Sequence, residues 1–173
     1  MSLQRVSASV DFADPALDIE SFVPVLHDWI RRQAVEGVLI DVARYAHVHK
    51  GPGVMLVGHD GDYSIGLAGG RPALRYTLKR DAEGTPAEQI ACAVRRLVAA
   101  SNEAVTSGNA VVDGEIVVSV ADRLRAPNVA ATHAWLVDAI GAGVRDALGL
   151  PEVEVTLHDT DAREPVAATV RMR

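Results

Sequence analysis

The chain has 173 residues, 49% of them apolar and 23% charged, with a net charge of −6, which predicts one folded domain, residues 1–173, and not a disordered chain. The acidic balance and the lack of clustered Lys or Arg argue against a nucleic-acid partner. The single cysteine excludes an internal disulfide, and the lack of a long apolar run or signal region predicts no membrane partner and a cytoplasmic location.

The first two predicted elements differ in their apolar period. In residues 5–12 every second side chain is apolar, which is typical of a half-buried strand. Residues 21–33 instead place apolar side chains at helical spacing, with Ser21 as the N-cap and His27 on the solvent side. The apolar stripe consists of Phe22, Val25, Leu26, Trp29 and Ile30.

The middle of the chain predicts an antiparallel meander. Glycine-rich turns separate short apolar runs, and Asp60-Gly61 is a strong signal for a two-residue hairpin loop. The predicted strands are residues 38–49, 54–59, 63–67 and 73–79.

The last third predicts two helices and three strands. Thr85 and Glu88 form a capping box around Pro86, and Gly108 ends that helix. Asn128 caps the next helix, which ends before Pro151. The strands are residues 115–121, 152–158 and 166–172.

These elements predict an α+β fold, a mostly antiparallel sheet with helices on one face. The order contains the ferredoxin-like β-α-β-β-α-β pattern, with an extra hairpin strand and a C-terminal α-β-β extension.

The strand predicted at 38–49 sorts its side chains by chemistry. Residues two apart share a face of a strand, so one face is apolar, with Arg44 as the exception, and the other is polar. We expect Val38, Ile40, Val42, Ala46 and Val48 to face the helices, and Leu39, Asp41, Ala43, Tyr45, His47 and His49 to face away. The candidate ligand-binding residues are Asp41, Tyr45, His47, His49, Gly51, Gly53, His59, Asp62 and Tyr63.

Three interpretations of this polar face remain open. His47, His49 and His59, with Asp41 or Asp62, could bind a divalent metal. The Gly51-Pro52-Gly53 turn could bind an anionic or organic small molecule, assisted by Arg44, Lys50 or Arg71. The face could also be structural, either solvated or paired with a second copy of the chain.

No complete catalytic motif is present, so no catalytic residue is assigned. The leading hypothesis is a homodimeric binding or interaction module with a small-molecule ligand on the polar face. The alternative is a metal-dependent enzyme that uses His47, His49, His59 and Asp41.

Two segments resemble a family of uncharacterised bacterial proteins. The first runs from Ile40-Asp41-Val42 through Tyr45, His47-Val48, Gly51-Pro52-Gly53-Val54 and Gly58-His59 to Asp62-Tyr63. The second is Asp122-Arg123-Leu124 with Ala126-Pro127-Asn128. The resemblance implies that these two loops are hallmarks of the family and implies no activity, ligand or catalytic residue.

Overall fold

The computed structural model describes residues 2–45, 47–48, 51–79, 82–108, 110 and 112–172. The chain order of the elements is β-α-β-β-β-β-α-β-α-β-β, with a short 3-10 turn before the first helix. The bounds are β1 Val6–Phe12, α1 Phe22–Arg32, β2 Leu39–Tyr45, β3 Gly53–Gly58, β4 Gly61–Ala68, β5 Arg71–Leu78, α2 Pro86–Thr106, β6 Val112–Val120, α3 Ala130–Leu148, β7 Val153–Leu157 and β8 Val166–Met172.

The eight strands form an antiparallel sheet in the order β2-β3-β4-β5-β1-β6-β8-β7. The chain divides into two compact units. Unit 1 comprises Met1–Ala8, Thr77–Arg95 and Glu115–Arg173, and unit 2 comprises Ser9–Tyr76 and Arg96–Gly114.

The core of unit 2 is aromatic. Phe12 and Phe22 stack with ring centroids 5.4 Å apart. Tyr63 meets the edge of Trp29 at 6.4 Å and lies 4.7 Å from Tyr76. All five side chains are buried, so the few aromatic residues of the chain are concentrated where they remove much apolar surface from water.

Unit 1 is stabilised by the close approach of α3 to α2 and by the buried side-chain amide of Gln89. The predicted capping box is confirmed, because Glu88 accepts a hydrogen bond from the Thr85 amide at 2.8 Å. Buried Gln89 accepts from the Leu3 amide at 2.7 Å and donates to the Leu3 carbonyl at 3.0 Å. A Cβ at Gly143 would lie 2.5 Å from the Ala87 carbonyl oxygen, so α3 needs glycine there to approach α2.

The predicted α+β content and antiparallel sheet are confirmed, but several element ends differ from the prediction. β6 begins at Val112, three residues before its predicted start, and β4 begins at Gly61, two residues before its predicted start. β2 ends at Tyr45 and not at residue 49. α3 begins at Ala130 with Val129 at the N-cap position. Asn128 instead donates to Thr160 and contacts the ring of His133 at 2.6 Å, because its amide is used to join two loops. Within the described residues, no helix has the length and apolar character needed to span a membrane.

Candidate ligand-binding site

A β-bulge in β2 overturns part of the predicted side-chain alternation. Leu39 pairs with Gly58 and Asp41 pairs with Val57, so Ile40 is an extra residue without a partner on β3. Because Gly58 and Val57 are adjacent in β3, the bulge places Leu39 and Asp41 on opposite faces, so the expectation that Leu39 shares the polar face with Asp41 is wrong. The expectation that Val38, Ile40 and Val48 face the helices is also wrong: they are 65%, 57% and 44% exposed, and Val48 lies beyond the end of β2.

Beyond the bulge the register defines an open face of unit 2. Ala43 pairs with Met55, and Met55 pairs with Ser64, so these three residues share one face. Asp41 and Tyr45 lie on that face with Ala43, as expected. The opposite face of β3 and β4 is the buried one and carries Val54, Leu56, Tyr63 and Ile65.

Arg44, the charged exception in the predicted alternation, lies on the same face as Val42, away from Asp41 and Tyr45. Its guanidinium donates to the Glu20 carboxylate at 2.9 Å from Nε. Because Glu20 already holds this side chain, Arg44 does not assist the Gly51-Pro52-Gly53 turn.

The histidines predicted as metal ligands are not brought together. β2 ends in a turn where the Val48 amide donates to the Tyr45 carbonyl at 2.9 Å, and His47 is exposed within it. His59 lies at the other end of the β2–β3 ladder, where its amide donates to the Val38 carbonyl at 2.8 Å. With a strand rise near 3.3 Å per residue, the two ends are about 20 Å apart.

His49 lies outside the described residues, as does Lys50. His59 contacts its neighbour Asp60 at 2.7 Å and is exposed. Among the residues that the structure describes, no group of three or more His, Cys, Asp or Glu side chains could hold a metal ion. The described part of the chain therefore gives the metal hypothesis no support.

Asp62 and Tyr63 serve the fold of the β3–β4 hairpin. The Asp62 carboxylate accepts a hydrogen bond from the Gly58 amide at 3.2 Å. Tyr63 is buried and donates its hydroxyl hydrogen bond to the Glu36 carbonyl at 3.1 Å. A cross-strand carboxylate and a packed tyrosine explain both residues without a ligand.

The Gly51-Pro52-Gly53 turn is shaped by steric need. Gly53 has a φ of +76°, and a Cβ there would lie 2.1 Å from the Ile65 carbonyl oxygen. A Cβ at Gly51 would lie 2.8 Å from the Val48 side chain. Only glycine permits this approach of the turn to β4. The turn consequently forms one wall of a depression on the open face.

That depression is a cavity of about 230 Å³. The cavity is present because small side chains of the open face leave space that larger side chains would fill. The turn residues Gly51 and Pro52 close one side, and Arg75 of β5 is its cationic lining residue. The small lining residues are Ser64, Gly66, Ala68 and Ala73.

Arg75 differs from the other arginines of unit 2. Arg31, Arg32, Arg44, Arg71 and Arg96 each form an ion pair. Arg75 has no hydrogen-bond or ion-pair partner among the described residues. Its side chain is exposed to solvent, and the protein atoms packed around the guanidinium lower its pKa by displacing part of its water.

Sequence reasoning did not identify Arg75, although a signal was present. Arg75 lies at the centre of the strand predicted at 73–79, between Ala73 and Thr77 on the face away from the core. A cation in the middle of a strand, among small residues, has space beside it for an anionic group. The sequence interpretation named Arg44 and Arg71 instead, and both form ion pairs within the chain.

Comparison of the chain with protein-family models, with curated proteins and with solved structures finds no match.

Proposed function

We propose that the protein is a binding module that holds a small anionic ligand in the cavity beside Arg75. The observation that carries this proposal is an arginine without an ion-pair partner among the described residues, lining a glycine-shaped cavity. The other arginines of unit 2 are neutralised by carboxylates. A carboxylate or phosphate group on a ligand would supply the missing counter-charge.

The chemistry of the lining favours an oxyanion. Guanidinium offers a planar fork of N–H donors that matches two oxygens of a carboxylate or phosphate. The Ser64 hydroxyl adds a donor on the neighbouring strand. Partial removal of water around Arg75 strengthens its attraction for an anion, because the local dielectric constant is lower than in bulk water.

The size of the cavity restricts the ligand. Its volume of about 230 Å³ is below the range of roughly 300–1,000 Å³ that holds drug-sized molecules. We therefore propose a compact metabolite whose anionic group is bound by Arg75. Asp41 and Tyr45 lie on the same open face and would contact any part of the ligand that extends toward β2.

Binding of inorganic phosphate and of acetate, each observed by NMR line broadening during a protein titration, tests this proposal. Both probes carry the oxyanion without the rest of the ligand. We expect at least one to broaden with the wild-type protein and neither to do so with Arg75→Gln. The matched control is Arg163→Gln, which removes an exposed arginine from unit 1 and should leave broadening unchanged.

A second variant tests whether probe binding needs the open volume of the cavity as well as the charge of Arg75. Ser64→Leu keeps Arg75 but places a larger side chain in the cavity, so probe binding should be weakened. The proposal is refuted if neither anion binds the wild-type protein, or if binding is equal in wild type and Arg75→Gln.

The proposal extends to the arrangement of the elements and to the location of the protein. We propose the ferredoxin-like arrangement for the β1-α1-β2 to α2-β6 part of the chain, supported by the order of its elements. We also propose a cytoplasmic location, supported by the acidic composition and single cysteine.

A further inference from the structure

A second candidate binding surface lies along β7, an edge strand in unit 1. β7 is the last strand in the sheet order, and within the described part of the chain it pairs on one side only, with β8. Beside it lies a groove of about 400 Å³ between β7 and α3. We call this the edge groove. Its lining residues include Val137, Asp138, Gly141, Ala142 and Arg145 of α3 and Val155 of β7.

The free backbone groups of β7 follow from its register. The His158 amide donates to the Ala167 carbonyl at 2.8 Å, so His158 belongs to a hydrogen-bonded pair with β8. In an antiparallel ladder such pairs alternate with pairs whose N–H and C=O point away. Val153, Val155 and Leu157 therefore direct their backbone groups outward, where they can only bind water or another strand.

We infer that a second copy of this chain covers the edge groove, with the β7 strands of the two copies paired antiparallel about a two-fold axis at Val155. This register places Val155 opposite itself and Val153 opposite Leu157. All of these residues have outward-directed backbone groups, so about six hydrogen bonds form. Glu154 lies opposite Thr156, so no like charges meet across the interface.

The helix beside β7 is self-complementary about the same axis. The Val155 side chain lies 3.7 Å from the position of a Cβ at Gly141, so the axis passes near Gly141. Two antiparallel copies of α3 then meet at Gly141 and Ala142, whose small size permits close approach. Asp138 lies three residues before Gly141 and Arg145 four after it, so each Asp138 lies opposite the other copy's Arg145.

A two-fold interface requires a patch that complements itself, and the edge groove has this property. Its charges, Asp138 and Arg145, are of opposite sign and on opposite sides of the axis. Among the described residues, neither the Asp138 carboxylate nor the Arg145 guanidinium forms an ion pair within its own chain, in contrast to Asp146, which pairs with Arg95 at 2.9 Å. Charge and strand register therefore select a second copy as the occupant.

A charge exchange tests the inference, with mass measured by multi-angle light scattering over a wide dilution series. Wild type should be a dimer that dissociates on dilution. Asp138→Arg alone and Arg145→Asp alone place like charges opposite each other and should give monomers. The double variant Asp138→Arg with Arg145→Asp should restore the dimer. Glu164→Arg changes an exposed charge of unit 1 outside the groove and should remain dimeric.

A cross-link tests the register even if a charge variant folds poorly. In a Cys92→Ser background, Val155→Cys should form a disulfide-linked dimer on mild oxidation, because paired Cα atoms about 5.5 Å apart lie within disulfide range. Thr156→Cys, one residue away, lies opposite Glu154 and should cross-link far less. A monomeric wild type, a dimer indifferent to both single charge changes, no rescue by the exchange, or equal cross-linking at the two positions would overturn the inference.

Discussion

The two edge strands of the sheet, β2 and β7, are built in opposite ways. β2 carries a bulge at Ile40 and places Arg44 on its inner face, where Glu20 holds it. β7 pairs with β8 in unbroken register from Val153 to Leu157. Bulges and inward charges are the devices by which proteins prevent edge strands from pairing with other chains. β2 has both, and neither occurs in β7.

This contrast indicates that the bulge in β2 prevents this edge strand from pairing with another chain and is not a defect of the strand. It also explains why an alternation that looks regular in sequence gives an exposed Ile40. At β7, where the register is unbroken, Val153 and Val155 both line the groove beside α3.

The largest effect is expected at the start of β3, the partner of β2. Gly53→Ala imposes a φ of +76° on a residue with a Cβ and drives that Cβ toward the Ile65 carbonyl oxygen, 2.1 Å away. We expect a loss of about 3 kcal/mol or more in the free energy of unfolding, measured by urea denaturation.

Gly70→Ala is the matched control for Gly53→Ala. Gly70 has a φ of +86° but no atom within 4 Å of an added Cβ. Backbone strain alone should cost about 1 kcal/mol. Equal losses at the two positions would show that the approach of the turn to β4 is not tight.

Removal of the bulge should change the assembly of the protein. Deleting Ile40 makes the pairing of Leu39 and Asp41 with β3 continuous. A regular edge strand can pair with another chain, so we expect species larger than the wild-type assembly in sedimentation velocity. Ile40→Thr, which keeps the bulge, is the control. An unchanged sedimentation profile after the deletion would mean that the bulge does not protect β2.

The charge on the inner face of β2 should matter less than the bulge. Glu20→Gln removes the counter-charge of an exposed arginine, and exposed ion pairs contribute at most about 1 kcal/mol. We expect a slightly lower thermal midpoint and an unchanged assembly state. New association of Glu20→Gln would show that the Arg44–Glu20 ion pair, and not only the bulge, protects β2.

The smallest effect on stability is expected from lowering the pH. Hydrogen bonds from Arg32 and then Arg31 lower the pKa of Asp28, and a hydrogen bond from Arg32 lowers that of Glu103. Carboxyls with lowered folded-state pKa values stabilise the protein above their ordinary pKa values, 3.8 and 4.5, and this stability is lost as pH falls through the lowered values. Arg32→Gln should flatten this acid dependence in thermal denaturation, and an identical acid profile would contradict it.

The sequence allowed most elements to be predicted because their signals are local. The Thr85–Glu88 capping box and the apolar alternation of β1 depend on neighbours within one turn or strand. Val6, Ala8, Val10 and Phe12 are all buried, as predicted, but Ser7 and Ser9 on the opposite face are buried as well, so β1 is not the half-buried strand that the alternation predicts. The bulge at Ile40 depends on pairing with β3, which no local pattern of β2 encodes.

The candidate site was only partly predictable for the same reason. The Gly51-Pro52-Gly53 turn was recognised from composition, and the structure places it in the wall of the cavity. The histidines share a face only if β2 continues to residue 49, and it ends at Tyr45. Arg75 gains its importance from the absence of a nearby carboxylate among the described residues, a property of three-dimensional packing.

Amide hydrogen exchange compares the two edges most directly. At high protein concentration we predict slow exchange for the amides of Val153, Val155 and Leu157, with protection lost on dilution and in Asp138→Arg. The bulged Ile40 amide of β2 should exchange rapidly under all conditions. Fast exchange of the three β7 amides at every concentration would contradict the account, because β7 would then be an unpaired edge like β2.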